Sequence, residues 1–274
     1  MIVVVSISAV LGTVSPHAAL GEPHTERAPH ADHNAQVSDN QTISRLITAA
    51  ARVHLRPLGL RQKGRSRLWF DDRGWSVIVV EFQPGSGPGT YLNVGAMWLW
   101  AERDYWAFDE GGRVRWRDDG SFAAQPPPME EQGWSGHINF LNPDQFARDV
   151  VSVALAAAGR VIELRAHFTG PGAVAEHLSS SSARPELWDT FHLGVAAALR
   201  GDAATADERL AAVMTAEMSA NWMHALAAQA ADLRSLLGEP ALLRGHVAET
   251  TRRTRSLLKL PEDAFDPGSL AGLR

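Results

Sequence analysis

Residues of an extended strand point alternately to opposite sides of a sheet, and this alternation is most informative between Thr90 and Trp100. Leu92, Val94, Ala96, Trp98 and Trp100 share one side of that segment, and Tyr91, Asn93, Gly95, Met97 and Leu99 the other. Both sides are largely apolar, so the strand is expected at the centre of a sheet that is covered twice. Helices are expected on one face, and irregular chain or a second hairpin on the other.

Two further strands precede it, Leu68 to Asp71 and Trp75 to Gln83. Asp71-Asp72-Arg73-Gly74 has the residues of a tight hairpin turn, and Pro84 to Gly89 makes a longer connection. In Trp75 to Gln83, Ile78, Val80 and Phe82 lie opposite Val77, Val79, Glu81 and Gln83, which leaves Glu81 and Gln83 as polar intrusions. Two weaker strands, Tyr105 to Phe108 and Arg113 to Arg117, flank Asp109-Glu110-Gly111-Gly112 and predict a second hairpin. The proline run at 126 to 128 then ends regular structure.

Apolar residues change to helical spacing on both sides of this block. Ile43, Leu46, Ile47, Ala50, Val53 and His54 predict an amphipathic helix from about Thr42 to Leu55, stopped by Pro57. Asn142-Pro143-Asp144-Gln145 is a helix start with a capping Asn, a Pro in the first turn and an acid beside the positive end of the dipole. That helix runs to at least Ala158, and Arg160 to Phe168 is read as a further helical turn, with a sixth strand as the alternative. Beyond a loop at Ser179 to Ser182 come helices over about 186–200, 203–216, 220–237 and 241–258. Leu193, Gly194, Gly201, Ala206 and Leu210 fall at tetratricopeptide offsets, but as a single copy, which predicts a generic helix hairpin. The expected class is therefore α+β, an antiparallel sheet of four to six strands flanked by an N-terminal helix and followed by an all-helical region. Residues 1–40 are expected to be a disordered tail and 41–140 the Trp-rich sheet region. Residues 141–274 are expected to be helical, packing on the sheet or forming a second subdomain.

Composition narrows the function classes. The 274 residues are 45% hydrophobic and 21% charged, with net charge near −5 and pI near 6.1. Such a balance gives no general attraction to phosphate backbones, so no nucleic-acid partner is expected. The absence of cysteine excludes disulfides, thiol catalysis and cysteine-ligated metal. The apolar run Ile2 to Leu11 lacks a preceding Lys or Arg and is too short for a bilayer span, so stable membrane insertion is not expected. A cytoplasmic location is expected, with secretion as the alternative. His17, His24, His30 and His33 lie in a polar, low-complexity segment and are read as tail rather than as metal ligands. No cofactor or metal site is expected.

Leu55-Arg56-Pro57-Leu58-Gly59-Leu60, Lys63-Gly64, Phe82-Gln83 and Tyr91-Leu92-Asn93-Val94-Gly95 carry a resemblance to a bacterial family, domain of unknown function 4304. That pattern passes from a helix through Pro-Leu-Gly and Lys-Gly into strands with Phe-Gln and Asn-x-Gly, over about residues 42–105. The resemblance implies a fold and carries over no catalytic residues.

Known reaction motifs fail one by one. Gly85, Gly87 and Gly89 precede a strand rather than a helix and lack a following Gly-Lys-Ser/Thr. Ser256-Leu257-Leu258-Lys259 has a Ser-x-x-Lys spacing without its companion motifs in order. The adjacent acids at 71 and 72, 118 and 119, and 130 and 131 are read as solvated turns. The basic residues Arg244, Arg252, Arg253 and Arg255 are read as cations stabilising a helix C-terminus. His137 with Asn139 could serve as a general base with an orienting partner.

Seven of the nine tryptophans fall between Trp69 and Trp134. Burial of about 150–250 Å² each, at about 25 cal/mol per Å², is sufficient cause for most of them to be core. Trp106, Trp116 and Trp134 are the candidates for a ligand-facing ring, and Glu81, Gln83, Asn93 and His137 for the polar part of a site. The expected function is non-enzymatic binding of a protein or small-molecule ligand. The alternatives are a hydrolase-like enzyme using Glu81, Gln83, Asn93 and His137, and a bacterial immunity or inhibitor protein.

Overall fold

The computed structural model describes residues 30–123, 133–181 and 186–270. The apolar run at 2–11, His17, His24, the prolines at 126–128 and the acids at 130 and 131 lie outside them. At the centre stands β4 (Gly89–Trp98), paired antiparallel with the whole of β3 (Ser76–Gln83), from Ser76 opposite Trp98 to Gln83 opposite Tyr91. On the far side of β3 lie β2 (Leu68–Asp72) and β1 (Arg61–Gln62). On the other side of β4 lies β5 (Glu110–Arg113), and β8 (Ile138–Asn139) pairs with the start of β4. A small separate ribbon joins β6 (Arg115–Trp116) to β7 (Phe122–Ala123).

The alternation in β4 divides two cores. Leu92, Val94, Ala96, Trp98 and Trp100 join Ile78, Val80 and Phe82 in the larger one. Two helices cover that face: α1 (His30–His54) contributes Ile43, Ile47 and Leu55's neighbour Ala51, and α2 (Pro143–His167) contributes Phe146, Val150, Val153 and Val161. Trp75, Trp98 and Trp100 stack on one another with centroids 5.3 to 5.8 Å apart. The Asn142 side chain accepts from the Gln145 N–H and caps α2, satisfying a backbone donor that the helix itself leaves unpaired. The helix continues unbroken through Arg160 to His167, as its periodicity predicts.

Among the described residues five more α-helices follow: α3 (Pro171–Ser181), α4 (Leu187–Arg200), α5 (Ala203–Thr215), α6 (Asn221–Ser235) and α7 (Pro240–Leu258). Gly194 of α4 faces Leu210 of α5 so closely that a Cβ would meet the Leu210 side chain at 3.0 Å. That close approach makes α4 and α5 a tight hairpin, and Gly201 ends α4 in the left-handed conformation at φ 90°. Phe191, Leu210, Leu226, Leu233, Leu243 and Val247 are continuous with the core over the sheet, so the helical region packs on it.

Several expectations need correction. The N-terminal helix begins at His30 rather than near Thr42, because a polar run can extend a helix whose later turns are anchored in the core. Residues 171–181 form α3, where no helix is expected from sequence. The second hairpin does not form: β5 pairs with β4 rather than with residues 105–108, and Gly111 sits opposite Gly95. A Cβ on Gly95 would lie 2.2 Å from the Glu110 carbonyl oxygen and one on Gly111 2.6 Å from the Val94 carbonyl oxygen, so Gly111, read as a turn residue, together with Gly95 permits a close strand approach. Finally, Trp106 and Trp116 are buried, at 3% and 2% exposure.

The adjacent acids of β2 are not solvated. Consecutive strand residues point to opposite faces, and the two carboxylates separate accordingly. Asp71 Oδ2 accepts from Arg165 Nε of α2 at 2.9 Å, and that guanidinium also donates to the Leu58 carbonyl at 2.6 Å. Asp72 turns to the other face, where Arg255 of α7 donates to both its oxygens at 2.7 and 2.9 Å and to the Gly74 carbonyl at 2.8 Å. Arg255 is 1% exposed, so it is a buried clamp rather than a solvated cation at a helix end.

Candidate functional site

The second face of the sheet changes character along its length. At one end Val77, Val79, Met97 and Leu99 form the smaller core with Leu68, Phe70, Trp106, Leu258 and Leu260. The irregular chain after Trp98 and the end of α7 cover it. At the other end the same alternation brings Glu81 and Gln83 of β3, Tyr91 and Asn93 of β4, and Arg113 of β5 to one side. Asn93 Nδ2 donates to Glu81 Oε2 and to Gln83 Oε1, both at 3.0 Å. Arg113 Nη2 donates to Gln83 Oε1 at 2.8 Å, and its guanidinium lies 4.0 Å from the Tyr91 ring centroid. Burial raises the Glu81 carboxyl above its ordinary pKa, while the Asn93 hydrogen bond and the Arg113 charge pull it back.

His137 joins this set through Tyr91, with ring centroids 4.3 Å apart. Burial lowers its pKa, the Asn139 side chain hydrogen-bonds to it and opposes that shift, and the Arg113 charge lowers it further. Its ring lies against Gly85 and Gly89, where a Cβ would approach His137 Nε2 within 3.0 and 2.9 Å. Nε2 is buried and makes no hydrogen bond. Glu81, Gln83, Asn93 and His137 therefore do come together, three by direct hydrogen bonds and the fourth across a tyrosine ring. Beside Glu81 opens a shallow cavity of about 390 Å³, bordered also by Arg65, Arg67 and Pro84.

The three tryptophans do not share that surface. Trp106 packs on Phe70 in the smaller core, with Lys63 Nζ 4.4 Å from its ring centroid. Trp116 belongs to the larger core, where Val114 precedes it on the same side. Trp134 is half-buried, with the Arg117 guanidinium 4.4 Å from its ring. Tyr91 and Arg113 are the ring and cation that sequence reasoning passed over. The signal for Tyr91 was present, since alternation puts it on the side of Asn93, whereas Arg113 reaches that face only through the pairing of β5 with β4.

A second polar centre lies where the sheet meets α4. Asp109 receives Arg103 Nη1 at 2.7 Å and Nη2 at 2.5 Å, and accepts the Trp98 backbone N–H at 2.7 Å. His192 Nε2 stands 3.3 Å from Asp109 Oδ1, while Trp100 Nε1 donates to His192 Nδ1 at 3.0 Å. Indole is a donor only, which makes Nδ1 the acceptor and turns Nε2–H toward the carboxylate. Burial alone would raise the Asp109 carboxyl; Arg103 and His192 outweigh it and hold the group far below the usual carboxylate range. Trp188 covers Arg103 at 4.6 Å and stacks on the half-exposed Trp222. The Arg103–Asp109 pair is enclosed, with Arg103 Nε and His192 Nε2 buried without a hydrogen bond, and the contact of His192 with Trp100 and Asp109 ties α4 to the sheet.

Two adjoining clefts follow the start of α3. The larger, about 840 Å³, is bordered by Pro171, Glu176, Arg200, Leu243 and Arg244. The smaller, about 480 Å³, has Trp75 and Phe168 in its wall with Arg73 and Asp266 at its edge. Among the described residues no three His, Asp or Glu side chains converge as a metal cluster, and no helix is long and apolar enough to cross a membrane. Comparison with protein-family models, curated proteins and solved structures finds no match to the chain.

Proposed function

We propose that this protein acts by binding, and that the polar end of the second sheet face receives the ligand. The observation that carries this reading is the joined set Glu81, Gln83, Tyr91, Asn93 and Arg113, five side chains from three paired strands. Strands hold side chains at fixed spacing, so donors, acceptors and a cation-backed ring are preorganised without a flexible loop. Such a surface suits a small polar ligand or a polar segment of a protein partner. The same reading takes residues 42–105 as a member of the family they resemble, domain of unknown function 4304.

Protein-observed NMR screening of small polar ligands tests it. Shift changes centred on Tyr91, Asn93 and Arg113, lost in Arg113→Ala, are expected; ligands that shift only the α3 clefts would move the site.

A hydrolase is the second reading, favoured by the raised carboxyl of Glu81 within reach of amide partners. A carboxyl kept protonated nearer neutrality can act as a general acid, and His137, lowered by burial, as a base. Turnover of a broad ester and amide panel that disappears in both Glu81→Gln and His137→Gln would establish it. Turnover unchanged in both variants would exclude this site.

A further inference from the structure

At the surface junction of β5, α2 and α3, three side chains form a line. Glu110 Oε2 lies 2.8 Å from His177 Nε2, and His177 Nδ1 lies 3.0 Å from His167 Nε2. His167 is the last residue of α2, and His177 lies within α3. Their rings stand at 87° to each other, and Phe168 packs edge-on against both, at 4.6 and 5.2 Å. His167 is exposed, and His177 and Glu110 each keep a quarter of their side-chain surface.

We infer that His167 Nε2 and His177 Nδ1 are the two protein ligands of a divalent transition-metal site, with Glu110 as the carboxylate behind His177. The spacing is the first reason. Two nitrogens bound tetrahedrally to one ion at about 2.0–2.1 Å from it are about 3.3 Å apart, so a few tenths of an ångström separate the present pair from ligation. The second reason is the carboxylate. A ligating imidazole typically donates its other N–H to a carboxylate, which fixes the tautomer and raises the basicity of the ligating nitrogen. Glu110 takes the Nε2–H of His177 in this way and leaves Nδ1 as the lone pair. The third reason is preorganisation, since two helix backbones and the Phe168 ring hold both imidazoles in place.

Ligation through both nitrogens needs the tautomers with a lone pair on His167 Nε2 and on His177 Nδ1, the protons lying on His167 Nδ1 and His177 Nε2. Imidazole pairs select Zn²⁺, Cu²⁺ or Ni²⁺ over Mg²⁺ or Ca²⁺. With two protein ligands, water or an added ligand completes the sphere.

Calorimetric titration of the full chain with Zn²⁺ tests the site. The N-terminal histidines are present in every sample, so the readout is the difference between the parent and its variants. His167→Gln and His177→Gln are each expected to lose the same one equivalent of Zn²⁺. Glu110→Gln is expected to retain that equivalent with affinity about 10- to 100-fold weaker. If either histidine variant, folded by circular dichroism, binds as many equivalents as the parent, the pair is a hydrogen bond only and the proposal fails.

Discussion

The two faces of this sheet are built from alternate residues of the same strands and solve burial differently. On one face Ile78, Val80, Phe82, Leu92, Val94 and Trp98 meet α1 and α2 in a core that runs on into the helical region. On the other, a smaller apolar cluster gives way after two residue pairs to Glu81, Gln83, Asn93 and Tyr91. Continuous helix cover makes the first face a structural platform. The second is closed by irregular chain and one helix end, and it is the face that leaves polar groups available for recognition. Functional groups therefore sit beside, not within, the region of greatest packing.

Mutations can break that comparison. Asp72→Ala leaves Arg255 buried without its carboxylate and is expected to cost about 3–5 kcal/mol in urea unfolding. Asp71→Ala, whose partner Arg165 keeps 24% of its side-chain surface, is expected to cost about 1 kcal/mol. Equal losses would show that the helix-covered face depends on its clamp as much as the other does.

Asp109→Asn belongs with the large effects, because Arg103 is 6% exposed and loses its bidentate partner; about 3–5 kcal/mol is expected. The lowered folded pKa of Asp109 gives stability that is present above about pH 4, the unfolded value, and lost as pH falls toward the folded one. A pH series of unfolding curves should show a flatter acid limb in the variant.

Gly95→Ala must push β5 from β4, and overpacking of this kind costs about 1–3 kcal/mol. Hydrogen exchange at residues 110–113 should accelerate while β2 and β3 keep their protection. Uniform loss of protection would mean that the two faces unfold as one unit.

Glu81→Gln is the smallest effect and has the opposite sign. A raised carboxyl pKa disfavours folding increasingly as pH climbs from about 4.3 through the folded value. The amide removes that opposition, so the variant should equal or exceed the parent by about 1 kcal/mol or less at neutral pH, measured against its own value at pH 4. A clear loss at neutral pH would make Glu81 a structural residue rather than one held for recognition.

Much of the platform was legible in sequence and much of the cover was not. Period-two alternation assigned residues 77–83 of β3 and 91–98 of β4 to their faces, because a strand buried on both sides leaves no other arrangement. Asn142 announced the start of α2 through capping chemistry that is local. By contrast, Asp71 and Asp72 look like a turn until their partners, 94 and 183 residues away, are in place. Gly111 and Gly112 look like a turn because the approach of β4 that requires Gly111 is nonlocal. The candidate site divides the same way. Glu81, Gln83 and Asn93 follow from alternation, whereas Arg113 needed the correct pairing of β5, and His137 the register of β8.

The Arg255 clamp has a consequence for synthesis. At about 5–20 residues per second, α7 leaves the ribosome roughly 10–40 s after the strand it must hold. For that interval the β2–β3 hairpin carries a hydrated Asp72 beside Val77 and Val79, which still lack the cover of Leu258 and Leu260. A nascent chain in this state shows an apolar strip flanked by charge, which is a surface for chaperones before it is a face of the protein.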